Sequence, residues 1–266
     1  MEESELVKKC LQGDRQSLER LIQSIQVSLF NLALRFLWNR QDAEDATQEI
    51  LLKIITNLSK FDGRSKFNTW AYRVAINYLI SFKQTKLESI FTSFESYAED
   101  LATYKAPIEY NQPDKALLEK EIKTGCTLAM LQCLNRQQRI AFIVGGVLKI
   151  NSKIGAEITD TTPENFRKRL EQAREILSKF LQSHCGVYNL SNSCRCSKRI
   201  NTALACGRVQ KENLNFADKI ETFNDEMEEL SSLSGIYQNH GTFKSNADII
   251  FQLQEIMATK KIIAQG

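Results

Sequence analysis

Aromatic and basic side chains alternate along residues 61–73, a pattern that suits contact with unpaired nucleic-acid bases. An aromatic face stacked on such a base contributes roughly 1–3 kcal/mol, and cations bind the neighbouring phosphates. Trp70 has a second interpretation, because it also continues an apolar helix face with Ala71, Val74, Ala75 and Leu79. The residues of this pattern are Phe61, Phe67, Trp70 and Tyr72, interleaved with Arg64, Lys66, Asn68 and Arg73.

Residues 184–206 contain four cysteines and a histidine, a second group of side chains that could do chemistry. Thiolates and an imidazole are the ligands that tetrahedral zinc prefers, so the group is a candidate zinc site. Its spacing is not that of a standard zinc finger; a redox-active thiol cluster and cysteines without a shared role stay as alternatives. A further alternative is that this segment binds phosphates through Arg195, Lys198 and Arg199. The four candidate ligands are Cys185, Cys194, Cys196 and Cys206, with His184 beside the first.

An amphipathic helix must precede the aromatic segment. We predict that it begins at Asp42, an N-cap with Asp45 in the capping-box position. One face is apolar and buried; the other faces are polar, and an acidic start complements the helix dipole. A solvated surface is the simple interpretation of those carboxylates. The apolar residues are Ala43, Ala46, Ile50, Ile54 and Leu58, and the outward ones are Glu44, Asp45, Gln48, Glu49 and Lys53.

Residues 151–181 have the proportions of a helix-turn-helix. A short helix is predicted from Ser152 and a turn over residues 159–161, followed by Thr162 as N-cap and Pro163 at the first helical position. The second helix would offer charged side chains to a major groove, although such residues are often only solvated. The outward residues are Glu164, Arg167, Lys168, Glu171 and Arg174.

Composition predicts an all-α chain with more than one core. The 266 residues are 42% hydrophobic and contain only 3 Pro and 11 Gly, and three- and four-residue periodicity runs almost throughout. No long apolar run and no secretory signal occur, so we expect a cytoplasmic protein that does not enter a membrane. With two histidines, His184 and His240, and no nucleophile–base or carboxylate cluster, we expect no enzyme.

The segment DAEDATQEILLKI followed by FDGRSKFNTWAYRVAINYL resembles conserved region two of bacterial sigma factors of the extracytoplasmic-function group. The resemblance implies a transcription initiation subunit without catalytic residues, bound to core RNA polymerase and to promoter DNA. Polymerase would be bound by Asp45, Gln48, Glu49 and Leu52. The melted non-template strand of the −10 element would be bound by Phe61, Arg64, Lys66, Phe67, Asn68, Trp70, Arg73 and Asn77.

CLNRQQRIAFIV through ENFRKRLEQAREIL resembles region four of the same group, which implies reading of the double-stranded −35 element. The turn departs from the family pattern, since Asp160 stands where glycine is usual, although aspartate tolerates a left-handed backbone. The residues implied in −35 binding are Thr162, Glu164, Arg167, Lys168, Arg169 and Arg174.

These segments predict an ordered series of parts. Residues 1–85 form region two, 86–116 a linker, 117–183 region four, 184–206 the cysteine segment and 207–266 a helical extension. Members of the group can end after region four, so we hypothesise that the acidic extension packs on the basic DNA-binding surfaces and that the metal or thiol site controls its release. A tail that only stabilises the fold, or an anti-sigma factor partner, is the alternative for regulation. A metal- or redox-responsive helix-turn-helix regulator without sigma activity is the alternative function.

Overall fold

The computed structural model describes residues 3–82, 93–103, 110–217, 237 and 241–245. The prediction of an all-α class is confirmed, since the elements of these ranges are helices joined by turns. None of these helices is both long and apolar enough to cross a membrane. Most of the predicted helical extension, namely residues 218–236, 238–240 and 246–266, lies outside the described residues.

Four helices form the first part of the chain: α1 (Glu3–Leu11), α2 (Arg15–Leu37), α3 (Arg40–Thr56) and α4 (Phe67–Ser81), with a 3-10 turn at Leu58–Lys60. The N-cap predicted for α3, Asp42, was three residues late. Its N-cap is Asn39, whose side-chain oxygen accepts a 2.9 Å hydrogen bond from the Asp42 amide. Asn and Asp cap equally well, so the sequence alone did not separate them.

Within the described ranges six further helices follow: α5 (Phe94–Thr103), α6 (Lys115–Gln132), α7 (Arg136–Ala141), α8 (Ser152–Ile158), α9 (Pro163–His184) and α10 (Cys196–Ala205). A π-helical segment, Phe142–Val147, continues α7. Helix α5 lies inside the predicted linker and is packed. Its Tyr97 is buried, donates to the Cys126 carbonyl at 3.2 Å and lies 5.6 Å from the Phe180 ring.

The helix-turn-helix forms as predicted. Asn151 caps α8, Thr162 caps α9 through the Asn165 amide, and Pro163 opens α9. Asp160 has φ of 51°, the left-handed backbone that its turn requires. The two helices meet at Gly155, where an added Cβ would lie 2.5 Å from the Phe166 ring. The absence of a side chain there sets how closely α8 approaches α9.

One hydrophobic core extends across the two predicted DNA-reading parts. It joins buried residues of α2, α3 and α4 to those of α6, α7 and α9. Buried Arg139 of α7 crosses the boundary and donates to the Phe36 carbonyl at 2.9 Å and to the Gln132 side chain at 2.8 Å. A smaller core lies between α6 and α10 and includes Leu118, Ile200 and Leu214. The parts predicted as region two and region four are therefore packed on each other, which we call the closed arrangement.

The described residues of the extension are packed as well. Phe216, Tyr237 and Phe243 are buried in the shared core. The described residues of the extension contact α2, α3, α6 and the π-helical segment. The predicted packing of the acidic extension on basic DNA-binding surfaces stays a prediction, because its most acidic part lies outside the described ranges.

Candidate nucleic-acid interface

The residues predicted to bind polymerase form one band on α3. Their spacing of three, one and three places them on a single helix face. Asp45 and Glu49 are exposed, and Gln48 and Leu52 are half-buried. We call Asp45, Gln48, Glu49 and Leu52 the α3 stripe. Glu44, predicted to face outward, is instead buried and pairs with Arg40 at 3.4 Å.

The α3 stripe carries negative charge. Burial, with Glu49 and Asp45 adding to it, raises the pKa of Tyr78, which lies on the neighbouring helix α4. Burial and then Asp45 raise the pKa of Asp42 one turn earlier. The stripe thus presents carboxylates with an apolar side chain beside them, a combination suited to a basic protein surface.

The aromatic residues after α3 form a packed cluster. The ring of Phe61 lies 5.7 Å from that of Phe67 and 5.6 Å from that of Trp70. Phe67 is only 1% exposed, so its ring presents no face to a base and its predicted contact with the −10 strand is corrected. Its position at the start of α4 places it against the core. Phe61 and Trp70 are half-buried, so each ring is partly accessible at the surface.

Polar residues surround this cluster on the first turns of α4. Lys66, Trp70, Arg73 and Asn77 recur at spacings of four, three and four and make one face, the α4 stripe. All three polar members are exposed. Arg64 is exposed in the preceding loop and pairs with Asp62. Asn68 is exposed as well, but its helical position places it on a different side of α4 from the stripe.

The predicted −35 residues divide into two groups. Glu164, Lys168 and Arg174 are exposed on α9, and Arg167 is exposed while reaching the Ser152 hydroxyl at 3.3 Å. The hydroxyl of Thr162 is used in capping. Arg169 is half-buried and donates to the Gln137 side chain of α7 at 2.9 Å, so its first role is to hold α9 on the bundle.

Sequence reasoning missed a contact between the two DNA-reading parts. Helix α4 packs on α8, and the Arg73 guanidinium donates to the Asp160 carboxylate at 2.8 Å. One partner belongs to the α4 stripe and the other to the turn of the helix-turn-helix. Only their positions in three dimensions reveal the pair, because 87 residues separate them in sequence.

The four cysteines predicted to bind zinc lie in or beside one cavity. No group of three or more Cys, His, Asp or Glu side chains there is arranged to hold a metal ion. Cys185, Cys194 and Cys196 are half-buried and line a cavity of about 480 Å³ between α6, α9 and α10, whereas Cys206 is exposed at its rim. Cys126 of α6 also lines it, with a pKa raised by burial and by nearby thiols. Zinc binding stays a prediction.

Comparison with known proteins identifies the first of these parts. Residues 21–86 match the model of Sigma-70 region 2, which contains both the α3 stripe and the α4 stripe. RNA polymerase sigma-H factor of Pseudomonas aeruginosa is 28% identical over 185 residues, covering 68% of this chain and 94% of the relative.

Two further relatives carry the name of the group. ECF RNA polymerase sigma factor SigW of Bacillus subtilis is 24% identical over 178 residues, with 66% of this chain and 95% of the relative covered. ECF RNA polymerase sigma-E factor of Escherichia coli K12 is 26% identical over 181 residues, with 66% and 93% covered. These names do not support the alternative of a regulator without sigma activity. The chain is therefore similar to RNA polymerase sigma factors, two of these three relatives being named for the extracytoplasmic-function group, and residues 21–86 carry the Sigma-70 region 2 match.

Proposed function

We propose that this protein is an alternative sigma factor that binds core RNA polymerase, directs it to promoters with −35 and −10 elements and promotes their melting. One observation carries the proposal: an exposed acidic stripe on α3 and an exposed basic and aromatic stripe on α4 lie side by side within the region-two match. A DNA-binding repressor needs only the second kind of surface. The protein acts as an initiation factor and contributes no catalytic group.

The α3 stripe is assigned to polymerase. Asp45 and Glu49 supply charge for a basic partner surface, and Leu52 supplies apolar contact area at its end. None of the three is engaged by the described residues of the extension, whose contact with α3 is made through Arg40 and Glu44. Polymerase binding is therefore compatible with the closed arrangement of the chain.

The α4 stripe and the loop before it are assigned to the melted −10 strand. Extruding a base costs a few kcal/mol of stacking. Stacking on the accessible part of the Phe61 or Trp70 ring, at roughly 1–3 kcal/mol per base, offsets much of that cost. Lys66 and Arg73 neutralise phosphates, while Asn68 and Asn77 have the donors and acceptors needed to read a base edge.

The first turns of α9 are assigned to the −35 element. Glu164, Arg167 and Lys168 are exposed at the N-terminal end of a 22-residue helix that a threonine caps. In a helix-turn-helix these are the positions that enter the major groove. A lysine and an arginine near the helix start can also bind DNA phosphates. Their contribution to the affinity for DNA falls as the salt concentration rises.

In vitro transcription tests the proposed function directly. Core polymerase with and without this protein would be incubated with sheared genomic DNA of a source bacterium, and the RNA 5′ ends would be sequenced. We expect starts that need the protein and that share two upstream motifs. A protein with native circular dichroism that yields no dependent start contradicts the proposal. The variant Lys179→Ala changes an exposed residue late in α9 and should give the same transcription starts as the wild type.

A further inference from the structure

The extension contains a five-residue segment that is bound like a peptide ligand. We call Gly241–Ser245 the tail segment. Asn31 of α2 grips the backbone of its central residue from both sides: its side-chain nitrogen donates to the Phe243 carbonyl at 3.0 Å, and its side-chain oxygen accepts from the Phe243 amide at 2.8 Å. A carboxamide that pairs with both backbone groups of one residue does what a neighbouring β-strand does, and binds an extended chain without regard to side-chain identity.

Further polar contacts extend this grip in both directions. Arg35 donates to the Gly241 carbonyl at 2.8 Å and to the Asn31 side-chain oxygen at 2.9 Å, so it orients Asn31 while binding the segment. At the other end the Ser245 hydroxyl donates to the Glu44 carboxylate at 3.3 Å. Arg35 is nearly fully buried, so it binds the tail segment inside the protein and not at the surface.

The site also selects a side chain. Phe243 is 0% exposed; its ring lies 5.2 Å from the Arg35 guanidinium carbon and 6.1 Å from the Phe216 ring. An aromatic ring thus fills an enclosed pocket between a cation and another ring. Backbone pairing with one aromatic anchor defines the ligand class: an extended peptide with phenylalanine at its centre.

The rest of the described extension ties this site to the other half of the molecule. The Glu121 carboxylate of α6 accepts hydrogen bonds from the amides of Asn215, Phe216 and Ala217 at 2.7–2.9 Å. Arg40 of α3 donates to the Asn215 carbonyl at 3.1 Å. Tyr237 is buried with its ring 5.0 Å from that of Phe142, in the π-helical segment. The extension therefore contacts region two and region four at once.

The closed arrangement is incompatible with simultaneous reading of both promoter elements. Elements centred 10 and 35 base pairs upstream are separated by about 85 Å of B-form DNA, at ~3.4 Å per base pair. In the closed chain the α4 stripe touches the helix-turn-helix through Arg73 and Asp160, 2.8 Å apart. The two halves must separate before they bind their elements, and the extension opposes that separation.

We propose that Asn31, Arg35 and Glu44 form a peptide-binding site for the tail segment and that its occupation in cis keeps the sigma factor closed. The gating consequence rests on the proposed function, but the peptide site does not. Release of the tail segment removes one set of contacts that opposes separation of the two halves, while leaving the α3 stripe unchanged. An extended aromatic peptide supplied in trans competes for the same site.

A labelled nine-residue peptide, YQNHGTFKS, copies residues 237–245 and tests the site without polymerase or DNA. The full-length Phe243→Ala variant vacates the pocket, so it should bind this peptide at least tenfold more tightly than the wild type, whose own segment occupies the site. The same peptide with alanine for phenylalanine is the control that needs no protein change, and it should lose at least tenfold. Equal binding of the two peptides by the variant, or no binding, overturns the proposal.

Small-angle scattering and transcription measure the consequence. Phe243→Ala should increase the radius of gyration and raise transcript yield, whereas Thr242→Ala, a change of the neighbouring residue, should leave both at wild-type values. An unchanged radius of gyration in Phe243→Ala refutes the closure even if the peptide binds. Absence of transcription from every variant, with peptide binding and opening intact, would count against the sigma function and not against the peptide site.

Discussion

Phe67 and Trp70 stand three residues apart in α4 but do different work. Phe67 is 1% exposed and packs into the core, whereas Trp70 is half-buried at the surface of the same cluster. Sequence spacing gave both rings the same interpretation, because aromatic residues beside cations are common at single-strand sites. Which ring is buried depends on where the 3-10 turn and the loop place the start of α4. The tertiary structure decides this, and the spacing of residues in the sequence does not.

The variant Phe67→Ala should therefore act on stability. We expect the free energy of unfolding to fall by about 3–5 kcal/mol, the range for a large aromatic removed from a core. Urea denaturation followed by circular dichroism measures it. Asn68→Ala, an exposed change next to it, should stay within about 0.5 kcal/mol of wild type while reducing open-complex formation, detected by permanganate footprinting. A stable Phe67→Ala protein that cannot melt promoters would restore the stacking role.

The α3 stripe gives a prediction that belongs to a helix face. Asp45→Ala removes one carboxylate from the surface assigned to polymerase, and we expect the dissociation constant for core polymerase to rise about fivefold, since an interfacial charge contributes on the order of 1 kcal/mol. Promoter preference should not change. Fluorescence anisotropy with labelled protein measures the affinity, and Glu5→Ala on α1 is the matched control. Equal loss in both variants would point to net charge instead of the stripe.

The helix-turn-helix gives a second prediction at this scale. In Gly155→Ala the new methyl would lie 2.5 Å from the Phe166 ring, which is itself buried. Overpacking costs typically about 1–3 kcal/mol, while alanine regains about 1 kcal/mol of helix propensity, so we expect a net loss near 1 kcal/mol. Lys153→Ala, exposed on the same helix, should cost nothing. Thermal unfolding compares the two; a stabilised Gly155→Ala would show that α9 can move away at no cost.

Local signals explain why this element was predictable. Asn151, Thr162 and Pro163 act on amides or dihedral angles within three residues of themselves, so the sequence states their role directly. The resemblance assigned Arg169 to DNA and helical spacing assigned Glu44 to the surface, yet Arg169 reaches Gln137 and Glu44 reaches Arg40. Charged residues are rarely buried unless they are paired with a partner, and a single sequence does not reveal that partner.

At the scale of the molecule, the position of the extension was the least predictable feature. Its acidity suggested attraction to basic surfaces, but its described residues are held by buried aromatic rings and backbone hydrogen bonds on α2 and α6. Glu121 and Asn31, which hold it, look in sequence like ordinary helix residues. Long-range contacts of this kind leave no periodic signature, so only the assembled structure could reveal them.

The buried thiols predict how stability depends on pH. Burial raises the pKa of Cys10 to about 11 and that of Cys196 to about 12, and it raises the pKa of Cys126 further. Above about pH 8.5 the unfolded chain loses thiol protons that the folded chain keeps, so stability falls as pH rises toward these values. Lys123, whose pKa burial lowers, acts in the opposite direction. The pKa of Arg35 is lowered to about 10, so Arg35 also opposes the loss of stability, but only near and above pH 10.

We therefore expect the urea midpoint of the reduced protein to be level between pH 7 and 8 and to decline between pH 8.5 and 10. Cys196→Ser should make the decline shallower, and Cys206→Ser, an exposed site, should not. A midpoint that rises over this interval would mean that Lys123 outweighs the thiols.

The order of synthesis gives the Asn31 site a consequence in time. Gly241–Ser245 leaves the ribosome about sixty residues after the end of α9, a delay of several seconds at roughly 5–20 residues per second. During that interval both DNA-reading parts are complete and nothing yet occupies the groove beside Asn31 and Arg35. Each newly made molecule thus passes through an unlocked period before it closes, and a cell that makes the protein faster holds more of it in that state.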